Sequence, residues 1–338
     1  MHIRLCLAVV AVFFVHASFS QKIVIPELKD SMPGILVDAG AHKLHLNIRG
    51  KGSPTIIFEN GSQDFSFIWL LVQPQLAAIT QTVSYDRAGY AWSEQGPMPR
   101  TARQICYELH TALKNAGVHP PYILVGQSYG GFIVRAFARY YPKEVEGMVL
   151  VEAVQEDQRI FMGGDTPHLI REFAQGRILP EVQTNFIPPH DTSQQSTTNT
   201  EMDPLFDKFP DSVKRMQLWA QTRPQFIQAV QGEMDWSPED VANLYAHKGE
   251  PGYRLGNMPL IVLTRGKGGF DGRADSLQLE NERLRAQKEL AGLSSNSEHI
   301  IDNNSGHNMH VDDPAVVIAA IEKVYIAVTK HVSLRDVK

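Results

Sequence analysis

One serine of the chain lies in a setting that suits a nucleophile. Ser128 is the centre of GQSYG (126–130), directly after the apolar run YILVG (122–126) and directly before a segment of helical spacing. A serine on a sharp strand-to-helix turn presents its hydroxyl clear of the sheet, and residues two positions away must be small for strand and helix to approach. Gly126, Gly130 and Gly131 meet that steric demand. The pattern therefore predicts that Ser128 attacks an electrophilic centre.

The segments around this serine alternate between strand and helix patterns. Polar and apolar residues alternate across ILVDAG and HKLHLNIRG, which predicts a hairpin. Amphipathic helices are predicted at 101–117, where Thr101 and Gln104 form a capping box, and at 129–141. Short β-branched runs predict buried strands at 55–60, 81–86, 122–126, 145–153 and 259–266. This order indicates an α/β protein with a doubly wound, mostly parallel sheet.

The alternation stops between two of the predicted core strands. Residues 154–250 contain helical patches, several prolines and the polar stretch HDTSQQSTTNTE (190–201). A segment of this length between two strands predicts a helical cap inserted into the domain, with the polar stretch as a loop within it. The predicted core is then made of two parts, at 21–153 and 251–338.

The N-terminus has the layout of a signal peptide, predicted at 1–20. Arg4 precedes an apolar run from Leu5 to Val15, and small residues follow. Because this run is short for a bilayer span, we expect cleavage between Ala17 and Gln21 rather than a retained anchor. A secreted or periplasmic protein without stable membrane insertion is the expectation.

Composition and cysteine content narrow the classes of partner. The chain is 43% apolar and 20% charged with a formal net charge of -5, which offers no electrostatic footprint for nucleic acid or anionic membrane. After loss of Cys6 with the signal peptide, Cys106 is a lone cysteine among apolar residues of helical spacing. It is interpreted as a buried residue that packs in the core. A small molecule is the expected partner, and nothing in the sequence predicts an oligomeric state.

Beyond GQSYGG, two further motifs resemble those of the α/β-hydrolases that carry a helical cap. SYDRAGYAWSE (84–94) resembles the family's D-R-x-G-x-G-x-S element, with Ala91 where the family has glycine, and is expected to brace a loop. SGHNMHVDDP (305–314) resembles the family's catalytic-histidine loop. The resemblance implies that His307 takes the proton of Ser128, since imidazole titrates near the working pH. His299 and His310 are alternatives, but neither follows a Ser-Gly step.

The resemblance also implies two backbone N–H donors for a developing oxyanion. One is Tyr129, the residue after the nucleophile. The other comes from the loop after the third strand, usually H-G-x in the family; this chain has Asn60-Gly61-Ser62, which makes Ser62 the second donor. Asn60 also matches the N-glycosylation pattern, but a glycan there would obstruct the proposed site.

The third member of a triad has two main candidates by analogy with the family. Most members carry a carboxylate just after the strand that here reads PLIVLTRG, and the first one available there is Asp271. Haloalkane dehalogenases are among the members that place it at the end of the preceding strand, where VLVEAV offers Glu152. We predict Glu152, with Asp271 as the alternative acid and Asp275 or Asp157 as further options.

These residues together predict hydrolysis of a carboxylic ester or related acyl substrate through a Ser128 acyl-enzyme. No metal or organic cofactor is implied. Dehalogenase and epoxide-hydrolase chemistry is disfavoured because those relatives use Asp as nucleophile. The alternatives are a peptidase similar to prolyl aminopeptidases, or a non-catalytic ligand-binding protein on the same fold. Aromatic residues of the cap are expected to hold it together or to line an apolar pocket: Phe173, Phe186, Trp219, Phe226 and Trp236.

Overall fold

The apolar runs of the sequence pair into one eight-stranded sheet in the computed structural model, which describes residues 32–161, 166–188, 202–250 and 252–337. Two further short strands form a separate hairpin. The strands are β1 (Ile35–Asp38), β2 (Lys43–Arg49), β3 (Thr55–Glu59), β4 (Thr82–Asp86), β5 (Tyr122–Gln127), β6 (Val145–Val151), β7 (Arg159–Phe161), β8 (Pro167–Leu169), β9 (Leu260–Arg265) and β10 (Ser297–Asp302).

The strand order of the main sheet is β1-β2-β4-β3-β5-β6-β9-β10. The strands β1, β2 and β4 pair antiparallel, and every pair from β4 to β10 is parallel. All residues of β3, β4, β5 and β9 are buried, because helices cover both faces of a parallel sheet. The predicted fold class, an α/β-hydrolase fold with a doubly wound and mostly parallel sheet, is confirmed.

Both helices predicted at 101–117 and 129–141 are present, together with several others. The helices are α1 (Gln73–Leu76), α2 (Ala102–Asn115), α3 (Tyr129–Tyr140), α4 (Asp211–Gln221), α5 (Pro224–Ala246), α6 (Ser276–Ala291), α7 (Met309–Asp312) and α8 (Pro314–Lys330). The side chain of Thr101 accepts from the Gln104 N–H at 3.2 Å, as a helix N-cap does. The sequence patterns did not predict α6, because the buried polar residues Arg283 and Gln287 interrupt its apolar stripe.

The described parts of the segment predicted as the cap, residues 154–250, add no strand to the main sheet. They contain the β7–β8 hairpin and the helices α4 and α5. Trp219 of α4 packs 5.4 Å from Trp92, and Phe226 of α5 packs 4.9 Å from Phe65 between ring centroids. These two aromatic side chains are buried between cap and core, whereas Phe173, Phe186 and Trp236 are half-buried.

Two of the segments discussed from the sequence, the signal peptide at 1–20 and the polar stretch at 190–201, lie outside the described residues. Within the described ranges, no helix combines the length and the apolar character that crossing a membrane requires.

Candidate active site

Ser128 occupies the turn between β5 and α3. Its backbone has φ 52° and ψ -119°, a region that costs a non-glycine residue about 1–3 kcal/mol and persists only where the surroundings hold the residue there. The surroundings do so through hydrogen bonds to both of its backbone polar groups. The Ser128 N–H donates to the Val151 carbonyl at 3.0 Å, and the Ser128 carbonyl accepts from Gly131 and Val154 at 3.0 and 2.9 Å.

Close approach of three loops explains the glycines beside Ser128. A Cβ on Gly130 would lie 2.5 Å from the carbonyl oxygens of Glu59 and Asn60, and one on Gly131 would lie 2.3 Å from the Cβ of Ala153. No side chain fits at either position without moving the neighbouring loop. The glycines at these positions thus allow the ends of β3, β5 and β6 to approach one another at one edge of the sheet.

His307 lies in the loop between β10 and α7, at the same edge. Its side chain is 49% exposed, and its Nδ1 is 3.8 Å from the Glu152 Oε2. This separation is too long for a hydrogen bond but close enough for an ion pair with the imidazolium. Ser128 is half-buried, and its hydroxyl forms no hydrogen bond to another described residue, His307 included.

Glu152 directly follows β6 and is held by two arginines. Its Oε1 accepts from the Arg265 N–H at 2.9 Å and from Arg283 Nη1 at 2.7 Å, and its Oε2 accepts from Arg265 Nε at 2.8 Å. Burial disfavours the charge of this carboxylate, but the contacts with His307, Arg283 and Arg265 outweigh it. The pKa of Glu152 therefore lies below its ordinary value, and the group is an anion at neutral pH.

The other carboxylates considered from the sequence lie elsewhere. Asp271 is exposed in the loop after β9, while Asp275 and Asp157 each pair with a neighbouring arginine at 2.8 Å. Among the described residues, Glu152 is the carboxylate that comes within 4.0 Å of a ring nitrogen of His307. The structure thus brings Ser128, Glu152 and His307 to one edge and leaves Asp271 apart.

The two alternative histidines have other surroundings. His299 Nε2 lies 2.8 Å from the Thr264 hydroxyl, and burial lowers the pKa of His299. His310 is fully buried 4.6 Å from the Trp69 ring, and burial lowers its pKa to about 3. The enclosed imidazole of His310 cannot reach a substrate, and the half-buried His299 is paired with Thr264, whereas His307 is open to solvent.

The loop after β3 carries the second predicted oxyanion donor. Because Glu59 pairs with Gly126 in the sheet, Ser62 and its loop lie beside the elbow. The Ser62 N–H donates to no backbone acceptor among the described residues. Tyr129 stands at the first position of α3, where a helix leaves its N–H without an intrahelical partner. Both amides are therefore available to a ligand.

Asn60, which replaces the family's histidine, has a structural role. Its Nδ2 donates to the Tyr85 carbonyl at 2.8 Å, and its Oδ1 accepts from the Trp69 indole at 2.9 Å. The side chain is 1% exposed. Asn60 therefore ties the loop to the core, and this buried amide leaves no room for a glycan.

The bracing interpretation of the 84–94 segment is confirmed by its contacts. Asp86 accepts from the Ser66 N–H at 2.7 Å, and the Ser93 hydroxyl donates to the Asp86 carbonyl at 2.6 Å. Arg87 donates to the carbonyls of Asn60 and Gly61, each at 2.8 Å. Ala91 has φ 36°, which explains why glycine is usual at this position.

Sequence reasoning missed two polar residues at the site. Gln127 Nε2 donates to the His307 carbonyl at 3.3 Å, so the residue before the nucleophile anchors the histidine loop. Asp64 lies beside Gly61, and burial raises its pKa to about 6 although the nearby His307 opposes the shift. The sequence offers one signal for a role of Gln127, its position next to Ser128. It offers no such signal for Asp64.

Comparison with known proteins agrees with this architecture. A family model described as the α/β-hydrolase fold matches residues 54–314. The uncharacterised protein YqjL of Bacillus subtilis is 28% identical over 279 residues, 82% of this chain and 86% of that protein. The solved structure of the epoxide hydrolase CorEH is similar with a TM-score of 0.60 and 17% identity, covering 86% of this chain and 98% of that one. An esterase from Thermogutta terrifontis is similar with a TM-score of 0.58 and 16% identity, covering 87% and 98%. The chain belongs to the α/β-hydrolase family.

Proposed function

We propose that this α/β-hydrolase cleaves a carboxylic ester or related acyl substrate through an acyl-enzyme on Ser128. The observation that carries the proposal is the backbone of Ser128, held at φ 52° on the turn between β5 and α3, at the same sheet edge as His307 and Glu152. A strained conformation that hydrogen bonds on both sides maintain is typical of a residue whose side chain must be presented.

The reaction divides into two half-reactions with His307 as the proton carrier. Ser128 Oγ bonds to the substrate carbonyl carbon while His307 Nε2 takes the hydroxyl proton, and the electron pair of the C=O bond moves to the oxygen. Collapse of this intermediate breaks the bond to the leaving group, which takes the proton from the imidazolium. Water then repeats the attack on the acyl-enzyme, releasing the acid and restoring the Ser128 hydroxyl.

Two backbone amides would stabilise the negative oxygen of each intermediate. The N–H groups of Ser62 and Tyr129 are available for this role, and they need no reorganisation when the charge forms. Glu152 would stabilise the imidazolium and hold its productive tautomer. Its 3.8 Å distance from Nδ1 would shorten in the substrate complex, where catalytic hydrogen bonds tighten.

The choice of an acyl substrate over an epoxide depends on the residue at the elbow. A serine alkoxide forms an acyl ester that water can hydrolyse at the carbonyl carbon, whereas the alkyl ether that a serine would form with an epoxide has no carbonyl to attack. The half-exposed His307 leaves the site open to a small molecule from solvent.

A fluorophosphonate probe tests the proposal directly. The wild-type protein should gain one adduct at Ser128, found by intact mass and peptide mapping, and should hydrolyse a p-nitrophenyl ester. Ser128→Ala should lose both. Ser62→Ala is the matched control, because it removes a hydroxyl at the site but keeps the proposed backbone donor. An unmodified wild-type protein, or an adduct on another residue, would contradict the proposal.

We also propose that the chain is exported and that a signal peptide ending between Ala17 and Gln21 is removed. The support is the Arg4 and Leu5 to Val15 pattern alone. N-terminal sequencing of protein recovered outside the cytoplasm should begin within that interval. An intact Met1 on the folded protein would refute this proposal.

A further inference from the structure

A single buried guanidinium lies beneath the loop that carries Ser62. Arg87 has no exposed surface, and its three nitrogens donate to four groups. Nη1 donates to Glu59 Oε1 and to the Asn60 carbonyl, and Nη2 donates to the Gly61 carbonyl, each at 2.8 Å. Nε donates to Glu233 Oε1 at 2.9 Å. The planar fork of arginine makes this a rigid junction between a backbone loop and two carboxylates.

The two carbonyl contacts fix the direction of the amides that follow them. In a trans peptide the C=O and the next N–H point in opposite directions, and the unit is planar. Holding the Gly61 carbonyl therefore orients the Ser62 N–H away from Arg87, toward the open side of the loop. Holding the Asn60 carbonyl does the same for the Gly61 N–H. The donor geometry at Ser62 thus depends on where the guanidinium lies.

The position of the guanidinium depends in turn on the cap. Glu233 belongs to α5 and is 2% exposed, and it also accepts from the Tyr90 hydroxyl at 2.8 Å. The helix approaches the 84–94 segment closely, since a Cβ on Gly89 would lie 2.8 Å from the Cβ of Ala229. The Tyr90 ring also lies 4.7 Å from the Arg87 guanidinium carbon. The cap therefore supplies one side of the cavity that holds Arg87.

We infer that Glu233 and Arg87 are positioning residues through which the cap helix α5 sets the orientation of the Ser62 N–H. The inference rests on the proposed function, in which that amide stabilises the oxyanion. A residue of the cap would then affect the chemical step itself, in addition to any effect on substrate binding.

The test compares Glu233→Gln with Glu239→Gln. Glu239 lies on the same helix, is 4% exposed and pairs with Arg177 at 3.0 Å within the cap, so its substitution removes a similar ion pair without contact to the loop. Glu233→Gln should lower kcat on a p-nitrophenyl ester roughly 10- to 100-fold with KM nearly unchanged, a fraction of the loss expected for deleting an oxyanion donor. Glu239→Gln should keep the wild-type kcat.

Affinity for two inhibitors separates positioning from mere folding of the cap. An aryl trifluoromethyl ketone forms a tetrahedral oxyanion on the serine, and its Ki should rise in parallel with the loss of kcat in Glu233→Gln. The corresponding alcohol, which binds without an oxyanion, should keep its Ki. A rise in KM and in both Ki values with kcat unchanged would show that Glu233 only seats the cap, and would overturn the inference.

Hydrogen exchange gives a readout that does not need activity. Backbone amides of the 60–64 loop should exchange faster in Glu233→Gln than in the wild type, and unchanged exchange would overturn the inference. Suppose that the probe does not label Ser128 of the wild type, but Glu233→Gln still speeds exchange in the 60–64 loop. The proposed function then fails, and the coupling between α5 and the loop stands. Should Glu233→Gln not fold, Arg87→Lys serves instead. The compact ammonium lacks the planar fork that spans both carbonyls and both carboxylates, so this variant should give a similar loss of kcat and faster exchange.

Discussion

Two buried clusters of arginine and glutamate flank Ser128, and they are built in opposite ways. In the acid cluster, Arg265 and Arg283 hold the carboxylate of Glu152. In the loop cluster, Glu59 and Glu233 hold the guanidinium of Arg87. The first fixes an anion that faces His307, and the second fixes a cation that faces two carbonyls.

The clusters also differ in which parts of the chain they join. Every member of the acid cluster comes from the core, at the ends of β6 and β9 and on α6, whereas the loop cluster takes Glu233 from the cap. A movement of the cap would therefore leave the proposed triad acid in place and disturb the proposed oxyanion donor. The comparison teaches that the two halves of the proposed catalytic site have different mechanical supports.

The largest expected effect is on the acid cluster. Glu152→Gln keeps the shape of the side chain but removes the charge that stabilises the imidazolium, so kcat should fall by about 10⁴-fold, as when a triad acid is neutralised. Asp271→Asn, in the exposed loop, should remain near wild type. Initial rates on a p-nitrophenyl ester, with circular dichroism to check folding, measure both. A large loss in Asp271→Asn with Glu152→Gln near wild type would move the acid to the later strand.

A smaller effect is expected on stability when the centre of the loop cluster is removed. Arg87→Met leaves Glu59 and Glu233 buried without their cation, which should cost about 3–5 kcal/mol of the free energy of unfolding. Arg103→Met is the control, because that arginine is 34% exposed and pairs with an 82% exposed Glu181; it should cost less than about 1 kcal/mol. Urea titrations give both values. Equal losses in the two variants would show that burial of the cluster is not what matters.

The smallest effect separates the clusters by pH. Burial raises the pKa of Glu59 to about 7, above its ordinary value of 4.5, although Arg87 opposes the shift. Protonated Glu59 therefore contributes fully to the free energy of unfolding at pH values below its ordinary pKa. This contribution is lost as pH rises through 7. Glu59→Gln should flatten the dependence of the free energy of unfolding on pH between about 5 and 8. Glu146→Gln, an exposed glutamate of β6, should keep the wild-type slope; the same slope in Glu59→Gln would refute the shift.

Local patterns allowed part of this arrangement to be predicted from the sequence. The turn at Ser128 and the strand of Glu152 follow from a few adjacent residues, since glycine spacing and β-branched runs report their own surroundings. Arg283 could not be predicted as a partner of Glu152, because it lies 131 residues away on a helix whose apolar stripe is interrupted. Glu233 meets Arg87 across 146 residues for a similar reason. Contacts between distant charged residues leave no periodic trace in a sequence.

The backbones of Ser128 and Glu152 share a feature with consequences for how the protein is made. Both residues have positive φ, 52° and 46°, and each follows the last residue of one of two adjacent parallel strands. Neither conformation is favoured in a free chain, so each is imposed only after β5 and β6 have paired across their intervening helix. A newly synthesised chain with its helices formed but β5 and β6 unpaired would thus not yet present Ser128 on its turn. We therefore expect labelling of the proposed nucleophile by a fluorophosphonate to appear during refolding only once β5 and β6 have paired.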